Sequence, residues 1–157
     1  FDPNRKYWTI IGKGWQRPKR LYKLGEEYTN DRIMERMQKK IDNGASYFMT
    51  QPVFSKEGIE RLAIIKEKMD TKILCGIMPL VSYRNANFIK NEFIGIDVPD
   101  EIVARYSPDM SKEEGEAVGA QIANELIGQM YDYVDGFYFM LPFNRVSLMD
   151  KININNR

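Results

Sequence analysis

Three positions in this chain combine a side chain able to handle a ligand with a place where a strand is expected to end. Gln51 closes the run AlaSerTyrPheMetThrGlnProValPhe over residues 45–54 and stands just before Pro52. Its uncharged amide donates and accepts at once, so it can read the edge of a heterocycle without bringing a charge into a dry pocket. The competing reading is that Gln51 satisfies backbone groups of the loop it opens. Tyr83 follows the run IleLeuCysGlyIleMet and Pro79, and Arg145 follows GlyPheTyrPheMetLeu and Pro142-Phe143. Arg145 also has a plain reading, as a surface arginine that caps the next helix or pairs with a carboxylate. Near the start, Gly12-Lys13-Gly14 is a weak phosphate-loop signal with no Lys-Ser/Thr pair behind it. Lys13, Arg17, Lys19, Arg20 and Lys23 surround Trp15 and Pro18, a basic cluster that fits either phosphate attraction or a solvated loop.

The elements needed to position these residues are legible in outline. Strands are expected near residues 46–50, 73–78 and 136–141, the first of them buried and each leaving through a polar or proline-marked exit. Before the first, Asn30 or Asp31 caps a helix to about Asn43, with Ile33, Met37 and Ile41 as core and Gly44 as its end. Lys39 and Lys40 close that helix, where cations suit the dipole. Ser55 caps a helix carrying Ile59, Leu62, Ala63 and Ile65. Ser82 caps another carrying Ala86, Phe88 and Ile89. Pro99 sits in the first turn of a short helix through Ile102, Val103 and Tyr106. Ser111 and Glu114 form a capping box for a long helix to about Tyr131, with Val118, Ile122, Ala123, Leu126 and Met130 on one face. A last helix follows Asn144-Arg145. Strands alternating with helices imply parallel pairing through right-handed crossovers, with the chemistry at the C-terminal strand ends.

Composition narrows the function. The 157 residues are 43% hydrophobic and 29% charged with net charge +1, ordinary for one globular domain and unlike a general nucleic-acid binder. There is no histidine, which removes His-ligated metal sites and Ser-His or Cys-His catalysis. The single cysteine, Cys75, excludes an internal disulfide and fits a reducing, cytoplasmic compartment. No membrane-length apolar run or leader pattern is expected.

Residues 40–45, LysIleAspAsnGlyAla, leading into TyrPheMetThrGlnProValPhe at 47–54, resemble the central signature of the methylenetetrahydrofolate reductase family. Gly76-Ile77-Met78-Pro79, Asp135-Gly136-Phe137-Tyr138-Phe139 and Asn144-Arg145 fall in the same order and spacing. Gln-Pro-Val-Phe and the ending Phe-Met-Leu-Pro-Phe-Asn-Arg are most similar to bacterial proteins in which such a reductase is fused behind a homocysteine S-methyltransferase domain. The resemblance spans about Asn30 to Lys151. Residues 1–29 are expected to be an irregular basic segment outside it, and 30–157 the C-terminal part of a (β/α)8 barrel. A whole barrel takes roughly 250 residues.

The resemblance implies an FAD-bearing enzyme that reduces methylenetetrahydrofolate to methyltetrahydrofolate with NAD(P)H as reductant. It implies that Gln51 contacts the pterin, Arg145 lies on the substrate side, and Phe88 or Tyr83 stacks on folate or nicotinamide. Lys40 is implied to help hold the flavin, although the acidic residue usual seven positions before it is Ile33 here, with Asp31 two positions earlier. The family's glutamate acid lies in an earlier part of the barrel, so no catalytic residue is expected in this chain. The implied partners are the folate and either a second copy or the remainder of the barrel. A non-catalytic half-barrel that binds folate or flavin weakly, or only assembles with another chain, is the alternative.

Overall fold

The computed structural model describes residues 29–154 apart from Ile94. The phosphate-loop signal at Gly12-Lys13-Gly14 and the basic cluster at 13–23 lie outside the described residues. Helix α1 spans Asn30–Ile41, capped by the Thr29 hydroxyl, which accepts from the Arg32 N–H at 3.4 Å. The cap thus stands one residue before the expected Asn30, because Asn30 is already helical while Thr29 is extended. Gly44, at φ +94, reverses the chain. Its N–H donates to Ile41 O at 2.8 Å, and the Ala45 N–H donates to Lys40 O at 2.9 Å, the bond pattern of a glycine-terminated helix.

Strand β1 (Tyr47–Pro52) leads through Ser55, whose hydroxyl accepts from Gly58, into helix α2 (Lys56–Lys68). Strand β2 (Lys72–Ile77) leads through Ser82, which accepts from Asn85, into helix α3 (Tyr83–Glu92). Helix α4 is the single turn Asp100–Val103; Pro99 is its cap rather than a member of its first turn. Helix α5 spans Lys112–Met130 with the Ser111–Glu114 capping box formed in both directions. Strand β3 spans Gly136–Phe139. The helix expected after Arg145 is instead a 3₁₀ segment, Val146–Lys151, preceded by a 3₁₀ turn at Pro142–Asn144. Phe143 and Asn144 both adopt φ 54, which breaks the chain direction before a helix can nucleate.

The sheet order is β1-β2-β3 and both pairings are parallel. That is an α/β fold with the three expected strands adjacent in sequence order. Its helices pack on one face. Phe48, Thr50, Ile73, Cys75 and Ile77 are buried there against Leu62 and Ile65 of α2, Ala86 and Ile89 of α3, and Ile122, Leu126, Ile127 and Met130 of α5. Helix α5 approaches the segment after β2 very closely. A Cβ on Gly119 would lie 1.8 Å from Leu80 O, and one on Gly115 2.5 Å from Val81 O. Tyr106 Oη donates to the same Leu80 carbonyl at 2.9 Å.

The other face is open. Tyr47 and Met49 are 54% and 45% exposed, so β1 alternates between covered and uncovered side chains instead of being buried throughout. Among the described residues no layer lies on that face. No helix among them is long and apolar enough to cross a membrane.

Asp135 fastens β3 to β2. Its Oδ2 accepts the Ile73 N–H at 2.9 Å, its own N–H donates to Ile73 O at 2.8 Å, and Lys66 lies 3.1 Å from Oδ1. The Ile73 N–H, followed by Lys66, holds its carboxyl below the usual aspartate range. The unfolded chain therefore binds this proton first as pH falls. The stabilisation is complete above about pH 4, the unfolded value, and is lost as pH drops through the lower folded value. Asp135→Asn is expected to flatten the acid limb of the urea-midpoint profile below about pH 4 and to cost about 1 kcal/mol at pH 7. An unchanged acid limb would show that Asp135 does not link folding to pH.

Among the described residues the sheet has an uncovered apolar face and unpaired outer edges, a combination that invites association. Sedimentation velocity of the isolated chain is expected to show concentration-dependent self-association, reduced by Tyr47→Lys with Met49→Lys. A dilution-independent monomer would contradict this.

Candidate functional site

The exit of β1 is not a regular strand end. Between Met49, opposite Leu74, and Pro52, opposite Gly76, β1 advances three residues while β2 advances two. That is a bulge of one residue, and it falls on Thr50 and Gln51. Pro52 has no N–H to offer the ladder. The 3% exposed Thr50 side chain repairs the gap. Its Oγ1 accepts the Gly76 N–H at 3.0 Å and donates to Gln51 O at 2.7 Å. Tyr138, opposite Gly76 on β3, reaches across that glycine and its Oη donates to Thr50 O. A Cβ at Gly76 would sit 3.0 Å from Tyr138 Oη and 3.1 Å from both Gln51 C and Pro52 N. A side chain at 76 would press on the tyrosine hydroxyl and the β1 backbone, so the glycine gives Tyr138 room to reach from β3 over β2 to β1.

Burial shapes the titrations here. It pushes the Tyr138 phenol up, with the neighbouring Cys75 a smaller contributor in the same direction. It also raises the Cys75 thiol to about 11, against a smaller opposing effect of the Thr50 hydroxyl. Cys75 is therefore an unionised core thiol at neutral pH and no nucleophile. Among the described residues no group of three or more His, Cys, Asp or Glu side chains is placed to hold a metal ion.

The expected site residues divide between the two ends of the sheet. Gln51, half-buried, lies at the exit of β1, and its side-chain amide makes no hydrogen bond among the described residues. Tyr83 opens α3 just past the exit of β2 and is 38% exposed. Phe88 lies five residues on, 52% exposed, with its ring edge-to-face with Phe93 at 5.6 Å. Five residues correspond to about 140° around a helix, so Tyr83 and Phe88 do not share a face. Arg145 follows β3 at the same end of the sheet. Its Nη1 donates to Glu116 Oε1 at 2.9 Å and its guanidinium lies 5.5 Å from the Phe143 ring centroid. The carboxylate pairing expected of a structural arginine is thus formed. Lys40 is in the last turn of α1, which by connectivity delivers the chain to the start of β1, the end opposite Gln51. Burial, then the neighbouring Arg36, lowers its ammonium from the usual lysine range. The structure brings the three strand-exit residues to one end and leaves Lys40 apart.

Thr50, Gly76, Tyr138 and Glu116 were not singled out by sequence. A signal for the first three existed: a glycine inside a strand often marks a bulge or a close backbone approach. Glu116 had none, since its partner is 29 residues away. A shallow concavity lined by Ala117, Ala120, Gln121, Asn124, Glu125 and Lys151 runs along α5 and contains none of the expected site residues.

A family model described as Methylenetetrahydrofolate reductase matches residues 23–155. No curated protein matches the chain significantly. Among solved structures, the chain is similar to one described as an uncharacterized protein from Clostridium thermocellum that binds two copies of 5-methyl-5,6,7,8-tetrahydrofolic acid. The TM-score is 0.51 at 19% identity, covering 78% of this chain and 46% of that one. At that identity the likeness is one of fold, and the chain spans less than half of the matched structure's length.

Two substitutions test how the bulge is held. Thr50→Val strands the buried Gly76 N–H and is expected to cost about 1–3 kcal/mol, whereas Tyr138→Phe removes one hydrogen bond at about 0.5–1.5 kcal/mol. Chemical denaturation of both variants gives the comparison. A neutral Thr50→Val would show that the hydroxyl does not hold the strand exit.

Proposed function

We propose a function from one premise: this chain belongs to the methylenetetrahydrofolate reductase family. The function is reduction of 5,10-methylenetetrahydrofolate to 5-methyltetrahydrofolate with NAD(P)H as reductant, in a (β/α)8 domain of which this chain forms a part. The observation that carries it is the Gln51 amide, held at a strand exit by the Thr50 bulge and unengaged among the described residues. The folate named for the Clostridium thermocellum protein, which shares the fold, supports a folate as the ligand.

In this reading Gln51 both donates to and accepts from the pterin edge, fixing the ring's orientation. The Thr50–Gly76–Tyr138 network fixes the backbone from which that amide projects. Tyr83 or Phe88 offers an exposed aromatic surface for stacking, and Arg145 serves the substrate side. FAD, if bound, would supply the redox chemistry that links NAD(P)H to the folate. Lys40 is the residue that the family resemblance assigns to the flavin, its ammonium complementing a phosphate. A single lysine at the far end of β1 does not constitute a flavin site, so the flavin's other contacts come from outside the described residues. The proposal extends to a cytoplasmic, oligomeric protein related to the fused homocysteine S-methyltransferase reductases.

The open sheet face favours a second reading, a non-catalytic half-barrel that assembles with another chain. Tyr47 and Met49 face solvent where a closed barrel would cover them. Flavin absorbance separates the two, since a half-barrel of this kind purifies colourless.

Calorimetric titration of 5-methyltetrahydrofolate tests the proposal. Gln51→Ala is expected to weaken binding roughly five- to 150-fold, the range for leaving a buried polar partner unpaired. In a flavin-loaded protein containing this segment, stopped-flow measurement should show the folate half-reaction slowed and flavin reduction by NAD(P)H preserved. Equal slowing of both, with unchanged folate affinity, would make Gln51 a structural residue of the strand end.

A further inference from the structure

The charges around Glu116 do not balance. This α5 carboxylate is only 8% exposed, and three cations converge on it. Arg145 Nη1 lies at 2.9 Å, Lys151 Nζ at 3.9 Å and Lys112 Nζ at 4.0 Å. Only the arginine is within hydrogen-bonding distance, and a buried carboxylate needs such a partner. The two lysines are largely exposed and leave a surplus of positive charge at this corner.

Arg145 spends one nitrogen on Glu116. Among the described residues its Nε and Nη2 donate to nothing, although a guanidinium carries five donors in a rigid fork. The loop that delivers it is unusual. Phe143 and Asn144 are successive non-glycine residues in the left-handed region, a conformation that persists only where surrounding contacts over-determine it. Those contacts converge on Arg145. Its N–H donates to Pro142 O at 3.2 Å, its carbonyl accepts from Leu148 at 3.1 Å, and its guanidinium lies over Phe143. The Phe143 ring is 74% exposed.

We propose that Glu116 is a positioning residue: it grips one nitrogen of Arg145 so that the remaining guanidinium edge, beside the exposed Phe143 ring, binds the carboxylate-bearing end of a ligand docked at the strand exits. The inference rests on the folate-binding reading above and adds to it the device that aims the arginine. A guanidinium matches a carboxylate in geometry and charge, and Lys112 and Lys151 reinforce an anionic end over a neutral one.

The test compares two probes on the full chain: 5-methyltetrahydrofolate, and its glutamate dimethyl ester with both carboxylates neutralised. Wild type is expected to prefer the free acid. Glu116→Gln should weaken the free acid roughly tenfold, the scale of one charge-assisted hydrogen bond, and leave the ester within twofold. Arg145→Gln should give the same selective loss, and the double variant no more than either single change, as coupled residues behave. Should Glu116→Gln fail to fold, Glu116→Asp, with a shorter reach, is expected to show a smaller loss of the same selectivity. Equal losses for both probes would make Glu116 merely structural, and no loss would uncouple it from the ligand; either overturns the inference while the folate reading stands. Failure of wild type to bind either probe would overturn that reading and the inference together.

Discussion

The exit of β1 depends on one hydroxyl. Proline at position 52 cannot donate to the ladder, and the extra residue in β1 leaves the Gly76 N–H without a regular strand acceptor. Thr50 Oγ1 supplies one at 3.0 Å. Because the side chain takes the ladder's role, the Thr50 carbonyl turns to Tyr138, and the bulge redirects Gln51 out of the pairing register. The interaction is buried, so its loss would leave an unsatisfied N–H in the core rather than a solvated one. Register and buried hydrogen bonding meet in three residues from three strands.

That arrangement is possible because the sheet is packed from one side with little slack. α5 brings Gly115 and Gly119 against the carbonyls of Val81 and Leu80, and Tyr106 holds the same Leu80 carbonyl. The loop after β2 is therefore clamped, and with it the end of the sheet where Gln51, Tyr83 and Arg145 gather. The opposite face bears Tyr47, Met49 and the Tyr138 crossing with nothing described above it. Among the described residues the site end is closely packed while the sheet face beside it is open.

Much of the fold could be read from the sequence because its signals are local. Ser55, Ser82 and Ser111 each cap the helix they precede, and the apolar spacing of Ile122, Leu126 and Met130 matches the buried stripe of α5. Reading failed where geometry overrides spacing. Val146, Leu148 and Met149 invite a helix, but two left-handed residues at 143 and 144 turn the chain into 3₁₀ turns. Phe88 sits beside Ile89 in sequence, yet only Ile89 points into the core. At the site, Gln51 and Arg145 stood out by type and place. Thr50, Tyr138 and Glu116 act through partners 26 or more residues away, and apart from the in-strand glycine at 76 no local pattern marks those pairings.

The central claim is that the bulged exit of β1 presents Gln51 to a folate. Side-chain amide resonances of ¹⁵N-labelled protein, followed during titration with 5-methyltetrahydrofolate, test it most directly. The Gln51 amide, with the backbone amides of Thr50, Gly76 and Tyr138, should be the first signals to shift, and all should report one dissociation constant. Saturable shifts confined to residues lining the α5 concavity, with the Gln51 amide unmoved, would contradict the account.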